Sequence, residues 1–280
     1  MSKYFSETHG LRKGTDLATL RIMTRDLFLD LQGNGDLKEW LGYYCVDEGN
    51  VQGAVANPGR DIVLDIGRSD VWPVEPVENE WSDDAIFDFL QFIGEHVSSP
   101  VAETGYFHSY NNCGWHNQDF RPEPARGNYV QRVNKILSRY GDGWEMKPSF
   151  EIVERAPLGM GELLKIKLPE GADPDLRSRV HAAVDKYRRR SSTGTDRKDA
   201  VRDLGDTLEP IRKLAAKHMS SDEADLFNIL NNFGIRHNNE KQKTDYDPVW
   251  LTGLFYHYLI MIHVLTHLME RARERPLQIT

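Results

Sequence analysis

An arginine, a histidine and two amides stand side by side at Arg236-His237-Asn238-Asn239, with Glu240, Lys241 and Lys243 close behind. Two such sets facing each other would hold the groups that RNA cleavage without a metal needs. The reaction needs one group to take the 2′-OH proton and another to protonate the leaving 5′ oxygen, and histidine near its ordinary pKa does either job. Arg236 can grip a phosphate bidentately. Asn238 and Asn239 can orient the 2′-OH, and Lys241 and Lys243 add charge for substrate binding. One such elbow supplies one histidine, so acid and base together require two elbows facing each other across a dimer. The same residues also have a plainer use: Arg236 and His237 can cap the carbonyls of a preceding helix and pair with Glu240 or Asp245.

Three other groups carry chemistry. His108, Tyr110, His116 and Asp119 lie in a loop-like stretch, 105–121, crowded with aromatics and amides. His108, Tyr110, His116 and Asp119 are candidates for binding a ligand or a metal, with aromatic rings nearby that can stack on a base. The competing reading is a loop pinned to the core by Phe107, Trp115 and Phe120. His263 and His267 are helical neighbours able to share a metal, but a third ligand beyond Glu270 is lacking, and buried hydrogen-bonded histidines are the favoured reading. The run Lys186–Arg190 suits either phosphates or a solvated helix end. The chain has no Cys-x-x-Cys, so neither a metal nor a cofactor is expected.

These groups need elements to hold them. Leu226, Ile229, Leu230 and Phe233 recur at helical spacing, which predicts a helix over 221–233 ending at Gly234. Asp247 and Pro248 then start a long helix to about 272, apolar on nearly all sides and therefore buried. Two further helices, about 174–190 and 196–218, complete a C-terminal bundle. Upstream, helices are predicted over 15–32, 81–97 and 124–140, the second capped by Ser82. Asp61–Ile66 (DIVLDI) reads as a strand, Gly42–Val46 as another, and Leu163–Leu168 (LLKIKL) as a short third. Residues 144–155 read as a hairpin around Pro148-Ser149.

The 280 residues suggest two domains, 1–165 and 170–280. The fold class is mainly α with a small β component. A net charge of −8 argues against gross attraction to nucleic acid, though not against local basic patches. Residues 251–268 approach membrane-spanning length, but His257, His263 and His267 make burial in a bilayer costly, so no membrane association is expected. With only Cys45 and Cys113, and no apolar leader in the first residues, a reducing cytoplasm is the expected location. No phosphate-binding glycine loop, nucleophile elbow or paired-carboxylate signature is present, which disfavours NTPases, serine hydrolases and glycosidases.

Several stretches, in order, also look familiar. YFSETHG (4–10), FLQFIGEHVSSPV (89–101), HSY (108–110) and RVNKILSRYGDGWEM (132–146) resemble the N-terminal domain of AbiJ-like bacterial abortive-infection proteins. NNFGIRHNNEKQKTDYD (231–247), followed by its apolar helix, resembles the HEPN-type helical domains often joined to them. The resemblance implies an N-terminal α+β domain followed by a HEPN-like antiparallel bundle. It also implies a role in antiphage defence, with RNA as the substrate or ligand. Active members pair an arginine with a histidine five to seven positions later; here His237 follows Arg236 directly, and Lys241, Gln242 and Lys243 occupy the later positions. The alternative is a non-catalytic HEPN-like module that binds RNA, nucleotide or a protein partner. A homodimer through the C-terminal helices is expected, because 251–265 is too apolar all round for a small bundle.

Overall fold

The computed structural model describes residues 5, 14–77, 80–141, 143–157, 159–165, 167–215, 247 and 249–274. The chain divides into two units, Met1–Arg155 and Ala156–Thr280. It is mainly helical, with small two-stranded antiparallel sheets.

In the first unit, Asp16 caps α1 (Leu17–Asn34) by accepting the Thr19 amide at 2.8 Å. A single turn, α2 (Lys38–Leu41), leads into the hairpin β1 (Gly42–Cys45) and β2 (Gly49–Gln52). The expected strand at Asp61–Ile66 is instead part of a helix, α3 (Pro58–Ile66). Asn57 accepts the Arg60 amide at 3.0 Å, Pro58 occupies the first turn, and Gly67 closes the helix in the left-handed region at φ 69°. Those stop and start signals outweigh the β-branched run. Ile62 is fully buried while Leu64 is 74% exposed, which suits a helix face better than alternation.

After the short turn α4 (Val74–Val77), Ser82 caps α5 (Asp83–His96) through the Ala85 amide at 3.1 Å. The helix is central: Ile86, Phe89, Leu90, Phe92 and Ile93 are all buried, against Leu27 and Phe28 of α1 and against α6 (Pro122–Leu137). The Tyr129 hydroxyl on α6 donates to the Leu90 carbonyl at 2.6 Å, and burial holds its pKa well above the ordinary tyrosine value. Between α5 and α6 run β3 (Ser99–Pro100), β4 (Tyr106–His108), a 3₁₀ turn, β5 (Gly114–His116) and β6 (Phe120–Arg121). The expected hairpin over 144–155 is β7 (Trp144–Met146) with β8 (Ile152–Glu154). Two side-chain amides dock it: Asn134 both donates to and accepts from the Met146 backbone, and Gln91 accepts the Ile152 amide at 3.0 Å.

In the second unit, the expected strand Leu163–Leu168 is absent. Met160 and Leu163 close tight turns onto the Pro157 and Met160 carbonyls, and Gly161–Leu164 forms one helical turn, α7. A lone apolar strand would leave its backbone unpaired; the tight turns satisfy it locally. Ala156, Met160, Leu163 and Leu164 pack against the second core, so 156–165 goes with the second unit. Asp173 and Pro174 open α8 (Pro174–Arg188). Thr193 and Asp196 cap each other's amides before α9 (Gly194–Ala215), the reciprocal capping pattern. α9 packs along both α8 and α10 (Val249–Glu274). Tyr187 stacks on Phe255 at 4.0 Å and shares a 3.0 Å hydrogen bond with Thr252. α10 is long and apolar enough to cross a membrane, but 56% of its 18-residue apolar window is buried within the protein, with Phe255, Tyr258, Ile262 and Leu265 in the core. That burial is compatible with the core helix of a soluble unit. The predicted helix 221–233 lies outside the described residues.

Candidate metal centre

Arg236, His237, Asn238, Asn239, Lys241 and Lys243 also lie outside the described residues. Among the residues that are described, the strongest chemical constellation is in the first unit. Cys45, His108, Cys113 and His116 each point one donor atom at a common point, and those atoms all lie within 4.8 Å of one another.

Two hairpins bring them together. Cys45 is the last residue of β1 and is 1% exposed. The other three come from β4 and β5, where Tyr106 pairs with His116, Phe107 with Trp115 and His108 with Gly114. His108 and His116 therefore end their strands diagonally on one face of the ribbon, their rings 5.8 Å apart, and Cys113 sits at its turn, three residues before His116. The ribbon is held at its base by the β3–β6 pair and by Asn117 donating to the Val101 carbonyl at 2.8 Å. Gly105 allows the ribbon to close: its φ is +87°, and a Cβ there would meet the His116 carbonyl oxygen at 2.0 Å.

Within the cluster, Cys45 Sγ lies 3.7 Å from His108 Nδ1, and Cys113 Sγ lies 3.3 Å from His116 Nε2. The outer nitrogen of His108, Nε2, contacts Asp47 Oδ2 at 3.0 Å. His116 is 2% exposed, and its Nδ1 is buried without a hydrogen-bonding partner. Its ring stacks on Tyr106 at 4.6 Å and tilts against Tyr43 at 4.7 Å. Both phenols titrate above the ordinary tyrosine value, Tyr106 mainly because it donates to Glu48 at 2.7 Å and Tyr43 mainly through burial.

Two of the ligand-binding candidates, His108 and His116, thus belong to this cluster. Tyr110 is 69% exposed and lies beside the His108 ring. Asp119 is exposed, and its backbone serves the ribbon by accepting from Val101. The expected aromatic pins do not bury the loop: Phe107 is 59% exposed and Trp115 39%, and they pack on each other across the strands. Cys45 and Cys113 were not foreseen as members, because no local Cys-x-x-Cys spacing announces them.

In the second unit, the His263 and His267 rings touch at 4.3 Å with Glu270 near His267, but among the described residues they gain no third metal-capable donor. Lys186 is paired with Asp203 and Arg188 is buried, so the basic run is largely committed to structure. A cleft of about 520 Å³ is lined by Lys165, Lys167, Arg177, His181 and His263 over an apolar floor that includes Val180, Leu259 and Ile262. Compared with protein-family models, curated proteins and solved structures, the chain matches none.

Proposed function

We propose that this is a cytoplasmic antiphage protein of the abortive-infection type, whose second unit is a HEPN-like bundle that acts on RNA at the Arg236–Asn239 elbow. The first unit serves as sensor or partner-binding module and carries no catalysis of its own. The observation that supports the reading most is where the elbow leads. Asp247 accepts the Val249 amide at 2.9 Å and so caps α10, whose Phe255, Tyr258, Ile262 and Leu265 lie in the core. The Arg236–Asn239 run precedes this cap in the sequence, and the positive end of a core helix is a setting that favours phosphate. In a homodimer, two elbows would supply the acid and the base.

RNA cleavage without added metal tests this reading. The expected products end in 2′,3′-cyclic phosphate, and His237→Ala abolishes cutting with thermal stability nearly unchanged. A stable Arg236→Ala, His237→Ala double variant with normal toxicity and normal RNA binding would end it. The basic cleft of the second unit favours a second reading, a non-catalytic module that binds RNA or nucleotide. In that case Arg177→Ala weakens binding and no cleavage is seen.

A further inference from the structure

We propose that Cys45, His108, Cys113 and His116 hold one zinc ion in a closed, four-ligand site that staples the β1–β2 hairpin to the β4–β5 ribbon. The inference does not depend on the RNA reading.

The geometry fits the ion. With zinc–sulfur and zinc–nitrogen bonds of about 2.3 and 2.0–2.1 Å, donors on a tetrahedral zinc stand about 3.3–3.8 Å apart. For a sulfur–nitrogen pair the expected value is about 3.5–3.6 Å, and the two found here, 3.7 and 3.3 Å, lie within about 0.2 Å of it. Two thiolates and two imidazoles are soft and borderline donors, which select zinc over magnesium or calcium. The charges also fit. A dication, two thiolates and two neutral imidazoles sum to zero, so the buried half of the site carries no net charge.

The surroundings point the same way. Asp47 holds the outer nitrogen of His108, the carboxylate–histidine arrangement that fixes a ligand's tautomer and orientation. His116 is buried at 2% exposure with Nδ1 unpartnered. Burying an imidazole whose other nitrogen meets a cysteine sulfur is costly, and no hydrogen bond among the described residues offsets it. A zinc–nitrogen bond at Nε2 does. All four coordination positions are filled by protein, so the site lacks the open position a catalytic zinc keeps, and its role is structural. Asp47 is a positioning residue here.

The test uses the full chain, purified under reducing conditions from zinc-supplemented culture. One zinc per chain by elemental analysis is expected. Replacing zinc with cobalt should give the sulfur-to-cobalt charge-transfer and tetrahedral ligand-field bands. Cys113→Ser, at the half-exposed ligand, should lose most of the metal, and thiol titration of the wild type should find both cysteines protected until a chelator is added. Cys45 is buried, so a loss of metal in its variants does not separate ligation from folding, and Asp47→Asn provides a second handle. It leaves all four ligands in place and should weaken zinc affinity by about 10–100-fold, read by competition with a chromogenic chelator. A metal-free chain that gives no cobalt spectrum overturns the proposal. Unchanged zinc content in Cys113→Ser, or a Cys45–Cys113 disulfide as the stable form under the same conditions, does so equally.

Discussion

Gly105 shows how much can rest on one missing side chain. Its positive φ and the 2.0 Å approach to the His116 carbonyl leave no room for a methyl group, and the obstacle is backbone. Gly114, in the same ribbon, shares the positive φ at 83° but has open space around it. Gly105→Ala should therefore destabilise the protein by more than about 1 kcal/mol, and by more than Gly114→Ala, because strain and clash add. Thermal denaturation of the two variants, with cysteine accessibility followed in parallel, checks this. Equal losses would mean that φ alone matters.

At the scale of elements, α3 is the instructive case. Its sequence is rich in β-branched and aliphatic residues, yet Asn57, Pro58 and Gly67 bracket it as a helix. The Asn57 cap should contribute accordingly. Asn57→Ala is expected to cost about 0.5–2 kcal/mol in chemical denaturation, and Asn57→Asp to be nearly neutral, since aspartate caps as well. If Ala and Asp behave alike, the cap does not hold the helix. α10 raises a different question. Ile260, Val264 and Leu268 leave 36–41% of their surface exposed along one side of a helix whose other side is core. The proposed dimer would cover them. Light scattering at tens of micromolar should find a dimer that Val264→Asp converts to monomer; a wild-type monomer would remove the two-elbow arrangement.

For the whole molecule, two half-buried histidines set a pH dependence. His96 is stacked against Trp40 at 4.9 Å and against Phe92, and burial lowers its pKa from 6.5. Burial lowers that of His257 on α10 as well. In both cases the unfolded chain takes up the proton first as pH falls. These two groups therefore add no slope well above pH 6.5, and stability declines as pH drops below it. The melting temperature should fall on going from about pH 7 to about pH 5, and His96→Phe, which keeps the ring stack, should flatten that fall. An unchanged slope in the variant would show that His96 escapes the penalty by taking up a partner when charged.

Local signals were enough for much of the molecule. Ser82 at its helix start, the apolar residues of α5 and the turn at Pro148-Ser149 each act over a few residues, so sequence alone determined those elements. It also singled out His108 and His116 as residues with chemistry to do. The strand expected at 61–66 is helix and the one expected at 163–168 gives way to tight turns, because caps and turns compete with β-propensity and only the folded context decides which wins. Cys45 is the clearest limit. Sixty-three residues separate it from His108, and nothing in its neighbours marks it as a donor. It joins the cluster because β1 and β2 fold back as one hairpin, because the β3–β6 pair closes the base of another, and because the two meet at their ends. Metal-capable geometry is a property of distance in space, and here the tertiary structure alone supplies it.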